Sequence, residues 1–176
     1  MTARVLDLHE AFDRGFAAAP PPPRPAHTDF LCIRVGGEPS AIPLGDITSL
    51  HADLLIVELP TRAPEFRGVA AIRAAIVPIY DLSVALGATS ATASRWSVLI
   101  RGGHVGFAFE GYDGHARIAD RAIAVPAGVP AAGASAHGHV LGQFSLDGQP
   151  RSIVDLGSVL AAIELRWRPR GTAKDH

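Results

Sequence analysis

The sequence predicts a mainly β protein made of two small, mostly antiparallel barrels with short helices, preceded by an N-terminal helix and a proline-rich spacer. Three observations favour this fold class. The 176-residue chain has 18 glycines and 14 prolines, which separate short apolar runs. The runs pair into hairpins, and one hairpin-and-helix pattern occurs twice. Hydrophobic residues are 48% of the chain, enough for a buried core.

The composition argues against nucleic-acid binding, membrane insertion and export. The formal net charge is −1, Lys174 is the only lysine, and aromatic residues are 6% of the chain, so no basic patch or base-stacking platform is expected. No apolar run approaches the roughly 20 residues that cross a bilayer. The charged N-terminus lacks the apolar stretch of a signal peptide, and Cys32, the single cysteine, cannot form an internal disulfide. We therefore expect a cytoplasmic protein.

The first 27 residues are predicted to form a helix and a linker. Within residues 3–18, four apolar side chains lie 3 or 4 positions apart on one helical stripe: Val5, Leu8, Phe12 and Phe16. This stripe packs on its own domain or recognises a partner, and the sequence leaves both interpretations open. Residues 20–25 (PPPPRP) are expected to form an extended polyproline spacer. Residues 28–165 are assigned to the folded domain and residues 166–176 to a flexible tail.

The domain opens with a hairpin, Phe30–Val35 and Pro39–Leu44, joined through Gly36 and Gly37. A short helix is expected next, with Ile47 and Leu50 on its inner side. Gly68–Arg73 and Ala75–Tyr80 form a second strand pair, and Asp81 is predicted to cap a short helix over 82–86.

The second half repeats this order. Its elements are a hairpin over 96–109, a strand near 115–119, a hairpin over 140–154 and a helix after Asp155. Ile79–Leu86 and Ile153–Leu160 match in register, including the capping aspartate. We interpret this as a duplicated unit of about 65–75 residues, in which each barrel ends in a helix and has a filled interior.

The run from Phe66 to Leu82 resembles the central signature of CheW-like domains, the coupling adaptors of bacterial chemosensory arrays. The opening hairpin with Ala41–Leu44, the stretch Gly103–Gly106 and the stretch Gly142–Asp155 are similar too, and the likeness extends from Asp29 to Ile163. The resemblance implies two intertwined SH3-like five-stranded β-barrels, without catalysis or a cofactor. It also implies a scaffold that links the regulatory domain of a CheA-type histidine kinase to the cytoplasmic tip of methyl-accepting chemoreceptors, and is held at membrane receptor arrays through those partners.

The same resemblance implies a set of partner-binding residues: Leu44, Ile47, Ser49, Gly68, Ile72, Arg73, Val105 and Phe107. The family's Asn-Leu-Arg-Gly motif corresponds to Ala71–Ala74 here, which keeps the arginine but loses the flanking Asn and Gly. Ser49 stands where many members carry a glutamate that pairs with this arginine. That loss puts the usual contact in question, unless a neighbour such as Asp46 substitutes.

No candidate for catalysis or metal binding is convincing. His137 and His139 are too few ligands for zinc and are interpreted as loop residues. Asp81 and Asp155 occupy equivalent positions in the repeat and are better explained as helix caps than as an acid/base pair. The nucleophile motif Gly-x-Ser-x-Gly is absent.

Two alternative functions remain open from the sequence. One is a CheW-like module of a non-motility sensory array that recruits a regulator through residues 3–18. The other is a β-barrel protein that binds a small molecule or a metal, which requires a concave pocket with convergent polar groups.

Overall fold

The structure is a computed structural model that describes residues 26–89, 91, 93–102, 104–125 and 136–167. The predicted N-terminal helix, the proline-rich spacer and residues 168–176 lie outside these ranges. The described part contains ten strands: β1 (His27–Val35), β2 (Glu38–Pro43), β3 (Ile47–Ala52), β4 (Phe66–Ile72), β5 (Ala75–Asp81), β6 (Trp96–Ile100), β7 (Gly106–Phe109), β8 (Gly111–Ala119), β9 (Val140–Leu146) and β10 (Gln149–Val154).

The strands form two five-stranded sheets, which confirms the predicted fold class. The first sheet has the order β8-β1-β2-β10-β9, and the second has the order β3-β6-β7-β5-β4. Within each sheet the hairpins are antiparallel, but β2 pairs in parallel with β10 and β5 pairs in parallel with β7. Each sheet therefore joins one hairpin from each half of the chain.

This exchange corrects the simplest interpretation of the sequence repeat, in which each unit builds its own barrel. The first unit sends β1 and β2 to the first sheet and β4 and β5 to the second. The second unit does the reverse with its own two hairpins, β6–β7 and β9–β10. The duplication is visible in the order of elements, yet the barrels are built by swapping hairpins between the units.

Two α-helices occur at the two predicted places, directly after β5 and after β10. Helix α1 (Leu82–Ala85) begins at Asp81, whose carboxylate accepts a hydrogen bond from the Val84 amide at 3.1 Å. Helix α2 (Leu156–Trp167) begins after Asp155, which accepts from the Ser158 amide at 3.1 Å. Because α2 runs through Trp167, the first two residues of the expected tail are helical. No helix in the described ranges is both long and apolar enough to cross a membrane.

The prediction of a short helix around Ile47 and Leu50 is wrong, because these residues lie in β3. Only a single 3-10 turn, Leu44–Asp46, precedes β3, and β3 pairs with β6. The register shifts between Ile47 and Ser49, so Thr48 is an extra residue in a β-bulge. The bulge lets Ile47 and Leu50 both reach the same core, and it produces the three-residue spacing that looks helical in the sequence.

The core has three parts. A central cluster lies between the sheets and joins residues of both barrels to α2, including Ile33, Val98, Phe107 and Ile163. A second cluster around Phe30 and Phe144 fills the first barrel, and a third around Ile72, Val77 and Ile79 fills the second. The barrel interiors of the described chain are occupied by side chains, as expected for barrels of this size.

The end of α2 is held against the second barrel by a buried carboxylate. Glu65 is 1% exposed and immediately precedes β4. Its Oε1 accepts a hydrogen bond from Trp167 Nε1 at 3.2 Å and lies 3.5 Å from Arg166 Nη2. Since α2 follows β10 of the first sheet, this contact ties the two barrels together.

A buried arginine crosses the first barrel. The Arg151 side chain is 8% exposed, and its Nη2 donates to Asp113 Oδ2 on β8 at 3.0 Å. The other carboxylate oxygen of Asp113 accepts from Arg34 Nε at 3.2 Å, and the Arg34 side chain is 45% exposed. Since β8 and β10 are not neighbours in the sheet, the Arg151–Asp113 ion pair links strands that backbone hydrogen bonds do not join.

The β4–β5 turn has two non-glycine residues in the left-handed region. Arg73 has φ +47° and Ala74 has φ +65°. The corresponding turn between β9 and β10 uses Asp147 at φ +52° and Gly148 at φ +77°, the combination that such two-residue hairpin turns prefer. Ala74 therefore carries backbone strain in the β4–β5 turn. Gly148 occupies the equivalent position of the β9–β10 turn and adopts a positive φ without that strain, because it has no Cβ.

We expect Asp113→Ala to lower the free energy of unfolding by about 3 kcal/mol, because it leaves the buried Arg151 guanidinium without its counter-charge. Arg34→Ala removes the exposed partner of the same carboxylate and is expected to cost less than about 1 kcal/mol. Urea unfolding of the two variants beside the parent protein measures the difference. Equal losses from both substitutions would contradict a specific role for the buried pair.

The turn strain predicts opposite effects at two matched positions. Ala74→Gly is expected to raise the free energy of unfolding by about 0.5–1 kcal/mol, since the relief of left-handed strain exceeds the added entropy of the unfolded chain. Gly148→Ala is expected to lower it by about 1 kcal/mol, because a Cβ there meets no atom within 4 Å and only backbone strain changes. Thermal unfolding curves of both variants show whether each substitution raises or lowers stability. A loss of stability in Ala74→Gly would contradict backbone strain at Ala74.

Candidate functional site

The end of the β4–β5 hairpin carries an exposed apolar surface with one cation. Ile76 is 76% exposed and pairs across the hairpin with Ala71, which is also exposed. Arg73 lies in the turn between them and is exposed. The inward-facing side chains of the same strands, including Ile72 and Val77, fill the barrel, so the alternation of the strands turns Ile76 and Ala71 outward.

A neighbouring chain segment extends this surface. Val57 pairs with Val69 of β4 through two backbone hydrogen bonds of 2.8 and 2.9 Å. Extending this antiparallel register by two residues sets Leu55, which is 82% exposed, level with Ala71. We define the hairpin surface as Leu55, Val57, Ala71, Arg73 and Ile76. It spans three adjacent stretches of backbone, which makes it an apolar patch with a cation at one end.

Gly68 makes the approach of this segment possible. A Cβ at Gly68 would lie 2.1 Å from the carbonyl oxygen of Val57, and its φ is +137°. Any other residue would push the segment at Val57 away from β4. Gly68 therefore positions the hairpin surface without presenting a side chain to a partner.

The eight predicted partner-binding residues do not share one surface. Ile47, Ile72 and Phe107 are buried in core clusters, and Gly68 is buried under Val57. These four cannot make direct side-chain contacts while the fold stays as described, because they are already enclosed by their own domain. Leu44 and Val105 are half-buried at the edge of the central cluster, Ser49 is half-buried on β3, and only Arg73 is exposed.

Ser49 and Arg73 form no hydrogen bond that would take the place of the glutamate–arginine ion pair of the family pattern. The Ser49 hydroxyl hydrogen-bonds His51 Nε2 at 2.8 Å, within β3. Among the residues that the structure describes, the Arg73 guanidinium forms no hydrogen bond or ion pair. Asp46 does not substitute either, since it contacts Arg101 through its backbone carbonyl and faces a different part of the molecule. The Arg73 guanidinium is thus available to a carboxylate of another molecule.

A shallow pocket of about 280 Å³ lies where the 3-10 turn meets the start of α2. Its lining includes Asp46, Arg101 and Asp155, and Arg101 Nε donates to the Gly45 carbonyl. Burial raises the pKa of the Asp46 carboxyl, and the nearby negative charge of Asp155 raises it further, while Arg101 opposes both effects. The pocket is small for an organic ligand and has no convergent set of polar donors.

The remaining polar candidates have structural roles. The Asp81 carboxylate accepts hydrogen bonds from Ser83, Arg67 and the amide that it caps. His139 Nδ1 hydrogen-bonds the Ser158 hydroxyl at 2.8 Å, and the side chain of His137 lies outside the described part of the chain. No cluster of three or more His, Cys, Asp or Glu side chains suited to a metal ion occurs among the described residues.

Sequence reasoning missed four of the five members of the hairpin surface: Leu55, Val57, Ala71 and Ile76. A signal for Ile76 was present, because Val77 and Ile79 are the inward positions of β5, so alternation turns Ile76 outward. No comparable signal existed for Leu55 and Val57. Residues 54–57 form a continuous apolar run, and only the pairing of Val57 with Val69 shows which side chains face solvent.

Comparisons with known proteins agree with this architecture. The sequence model of the CheW-like domain matches residues 29–164. The scaffolding protein TtCheW from Thermoanaerobacter tengcongensis has a similar solved structure, with a TM-score of 0.63 and 18% sequence identity over 74% of this chain and 89% of that one. A search of curated proteins found no match. At this identity the structural match establishes the fold, and the domain match over most of the chain shows that it belongs to the CheW-like domain family.

Proposed function

We propose that this protein is a non-enzymatic scaffold that couples chemoreceptors to a CheA-type histidine kinase in a bacterial chemosensory array. The observation that carries the proposal is an exposed apolar and cationic hairpin surface on a domain of the CheW-like family. A scaffold binds by the complementarity of its outer surfaces, and the side chains of the barrel interiors are committed to the core. The proposed binding sites are accordingly on the outer surfaces of the barrels.

The hairpin surface is the proposed contact for the regulatory domain of the kinase. Leu55, Val57 and Ile76 supply apolar area whose burial favours association, at roughly 25 cal/mol per Å² removed from water. Arg73 adds a charge that selects a partner with a carboxylate opposite it. The β4–β5 pairing and the bridge from Val57 to Val69 hold the backbone of this surface in place, so little backbone entropy is lost on binding.

A second surface is proposed for the receptor tip. Leu44 and Val105 border the central cluster between the barrels, and the pocket beside them continues past Asp46 to the start of α2. This junction lies on different elements from the hairpin surface, so a receptor helical hairpin and the kinase domain can bind together. Simultaneous binding raises the effective concentration of each partner near the other, without any chemical step.

The location of the protein follows from the same proposal. The composition is that of a cytoplasmic domain, and the docking partners are themselves assembled at membrane receptor arrays. Attachment to the membrane therefore occurs through the receptors and needs no insertion of this chain.

Ile76→Asp is expected to weaken binding of a purified kinase regulatory domain by at least about tenfold, or about 1.4 kcal/mol, because it places a charge in the apolar interface. The thermal midpoint should stay unchanged, since Ile76 is 76% exposed. Val125→Asp is the matched control, because Val125 is 72% exposed and lies beside the first barrel. Isothermal titration calorimetry measures both variants, and equal affinity of Ile76→Asp and the parent would refute the hairpin surface as the kinase contact.

Arg73→Glu tests the charge at the same surface. We expect it to abolish kinase binding in co-sedimentation at tens of micromolar, since an acidic side chain then faces the partner's carboxylate. Receptor-fragment binding should persist, because the receptor surface is elsewhere. The exposed Arg121→Glu on the other barrel is the control. Retained kinase binding, or a large fall in the thermal midpoint of Arg73→Glu, would show that Arg73 does not act at this interface.

A further inference from the structure

The apolar surface of the second barrel continues beyond the β4–β5 turn. On β5, alternate side chains point away from the barrel interior: Ile76, Pro78 and Tyr80. Ile76 is 76% exposed, and Pro78 and Tyr80 are half-buried. Phe66 of β4 pairs with Tyr80, and their rings meet edge to face with centroids 5.4 Å apart. These four residues form an apolar strip about 13 Å long, which we call the β5 strip.

The last turn of α2 lies at the far end of the β5 strip. Trp167 comes four residues after the buried Ile163, so it continues the buried stripe of the helix past the core. Its Nε1 donates to Oε1 of Glu65, the residue before β4, at 3.2 Å. Burial raises the pKa of Tyr80, and the negative charges of Glu65 and Glu164 raise it further, so Tyr80 lies near both carboxylates. The β5 strip and the end of α2 are therefore neighbours.

Trp167 has the features of a binding anchor. Its side chain is 48% exposed, but its N–H is already bonded to a carboxylate that is 1% exposed. The exposed part of the ring therefore offers apolar carbon atoms to a partner. A fixed, buried acceptor orients the ring before binding, which lowers the entropy that the side chain loses in a complex. Tryptophan is also among the residues that most often dominate the binding energy of an interface.

The size of a stable interface requires more than the hairpin surface. Such interfaces cover about 800 Å² on each partner and involve roughly 20–30 residues a side. The hairpin surface has far fewer residues, so a protein domain that docks there also contacts the surroundings. The β5 strip shares Ile76 with the hairpin surface and leads from it to Trp167. It supplies additional apolar area that is continuous with the proposed kinase contact.

We propose that Trp167 anchors the regulatory domain of the kinase, that Glu65 is its positioning residue, and that the docked domain covers the β5 strip. This inference rests on the proposed function, because it extends the surface assigned there to the kinase. The receptor surface stays free. Its pocket includes Leu156 at the start of α2, about 17 Å along the helix axis from Trp167. The two ends of one helix therefore belong to two different contacts.

Trp167→Ala in the full chain tests the anchor. We expect it to weaken binding of the purified kinase regulatory domain at least about tenfold, because the partner loses its contact with the ring. Leu165→Asp is the matched control and should bind like the parent. Leu165 is 70% exposed on the same turn but lies about 200° around the helix from Trp167. Isothermal titration calorimetry is run below the thermal midpoint of each variant, and equal losses from both substitutions would overturn the proposal.

Two substitutions of Glu65 test the positioning role while Trp167 stays in place. Glu65→Gln keeps an oxygen that accepts from the indole, so the affinity for the kinase domain should stay that of the parent. Glu65→Leu fills the same buried site without an acceptor, and the freed indole N–H can turn to water. We expect it to weaken binding about threefold or more, since the ring is no longer oriented. Parental affinity in Glu65→Leu would remove Glu65 from the interface.

The native chain gives a test without substitution at the anchor. Trp96 and Trp167 are the only tryptophans, so a ¹⁵N-labelled chain has two indole N–H signals, which Trp96→Phe assigns. Unlabelled kinase regulatory domain should shift the Trp167 signal and leave that of Trp96, at the start of β6, unchanged.

The outcomes separate this inference from the function on which it rests. If the parent binds the kinase domain and Ile76→Asp weakens binding, an unchanged Trp167 signal and full affinity of Trp167→Ala overturn the anchor and leave the hairpin contact standing. If the parent does not bind the kinase domain at all, the proposed function fails and the anchor fails with it.

Discussion

The architecture depends on the two parallel strand pairings, β2 with β10 and β5 with β7. Each pairing joins hairpins that come from different halves of the chain, through contacts such as Ile153 with Ala41 and Ile79 with Gly106. Neither barrel is complete without strands from both halves, so the barrels cannot separate as independent modules. The central cluster and the contact of α2 with Glu65 reinforce a connection that the backbone already makes. The outer surfaces of the two barrels are thereby held in a fixed relation, which a scaffold needs if it is to set the geometry of its partners.

Much of this fold is predictable because the local chemistry is explicit. The glycine-containing turns, the alternating apolar strands and the two capping aspartates each specify their own element. The error at Ile47–Leu50 has a clear cause, since a bulge at Thr48 imitates helical spacing. The hairpin exchange has no local signal at all. Two units that keep their hairpins and two units that swap them share the same turns, caps and periodicity, and only long-range pairing distinguishes them.

The candidate site was less accessible to sequence reasoning. A motif identifies a neighbourhood of the chain, but strand alternation decides which of its side chains face solvent. Ile72 and Ile76 lie on either side of the same turn, yet one fills the barrel and the other is exposed. The family pattern led to Ile72, which lies in the core beneath this hairpin, and to Phe107, which is buried in the central cluster, and it passed over the exposed residues beside Arg73. The strained turn at Arg73 and Ala74 was also invisible, because its backbone angles depend on the hairpin that encloses it.

The hairpin exchange also affects how this protein folds while it is being synthesised on the ribosome. The first barrel begins with β1 and β2 but cannot close until β9 and β10 have been translated, about a hundred residues later along the chain. During that interval the apolar inner sides of the early strands lack their final neighbours, and the edge of β2 that later receives β10 is unpaired. A truncated transcript or a stalled nascent chain would leave that edge open, so loss of the C-terminal strands is more damaging to the N-terminal half than their separation in sequence suggests.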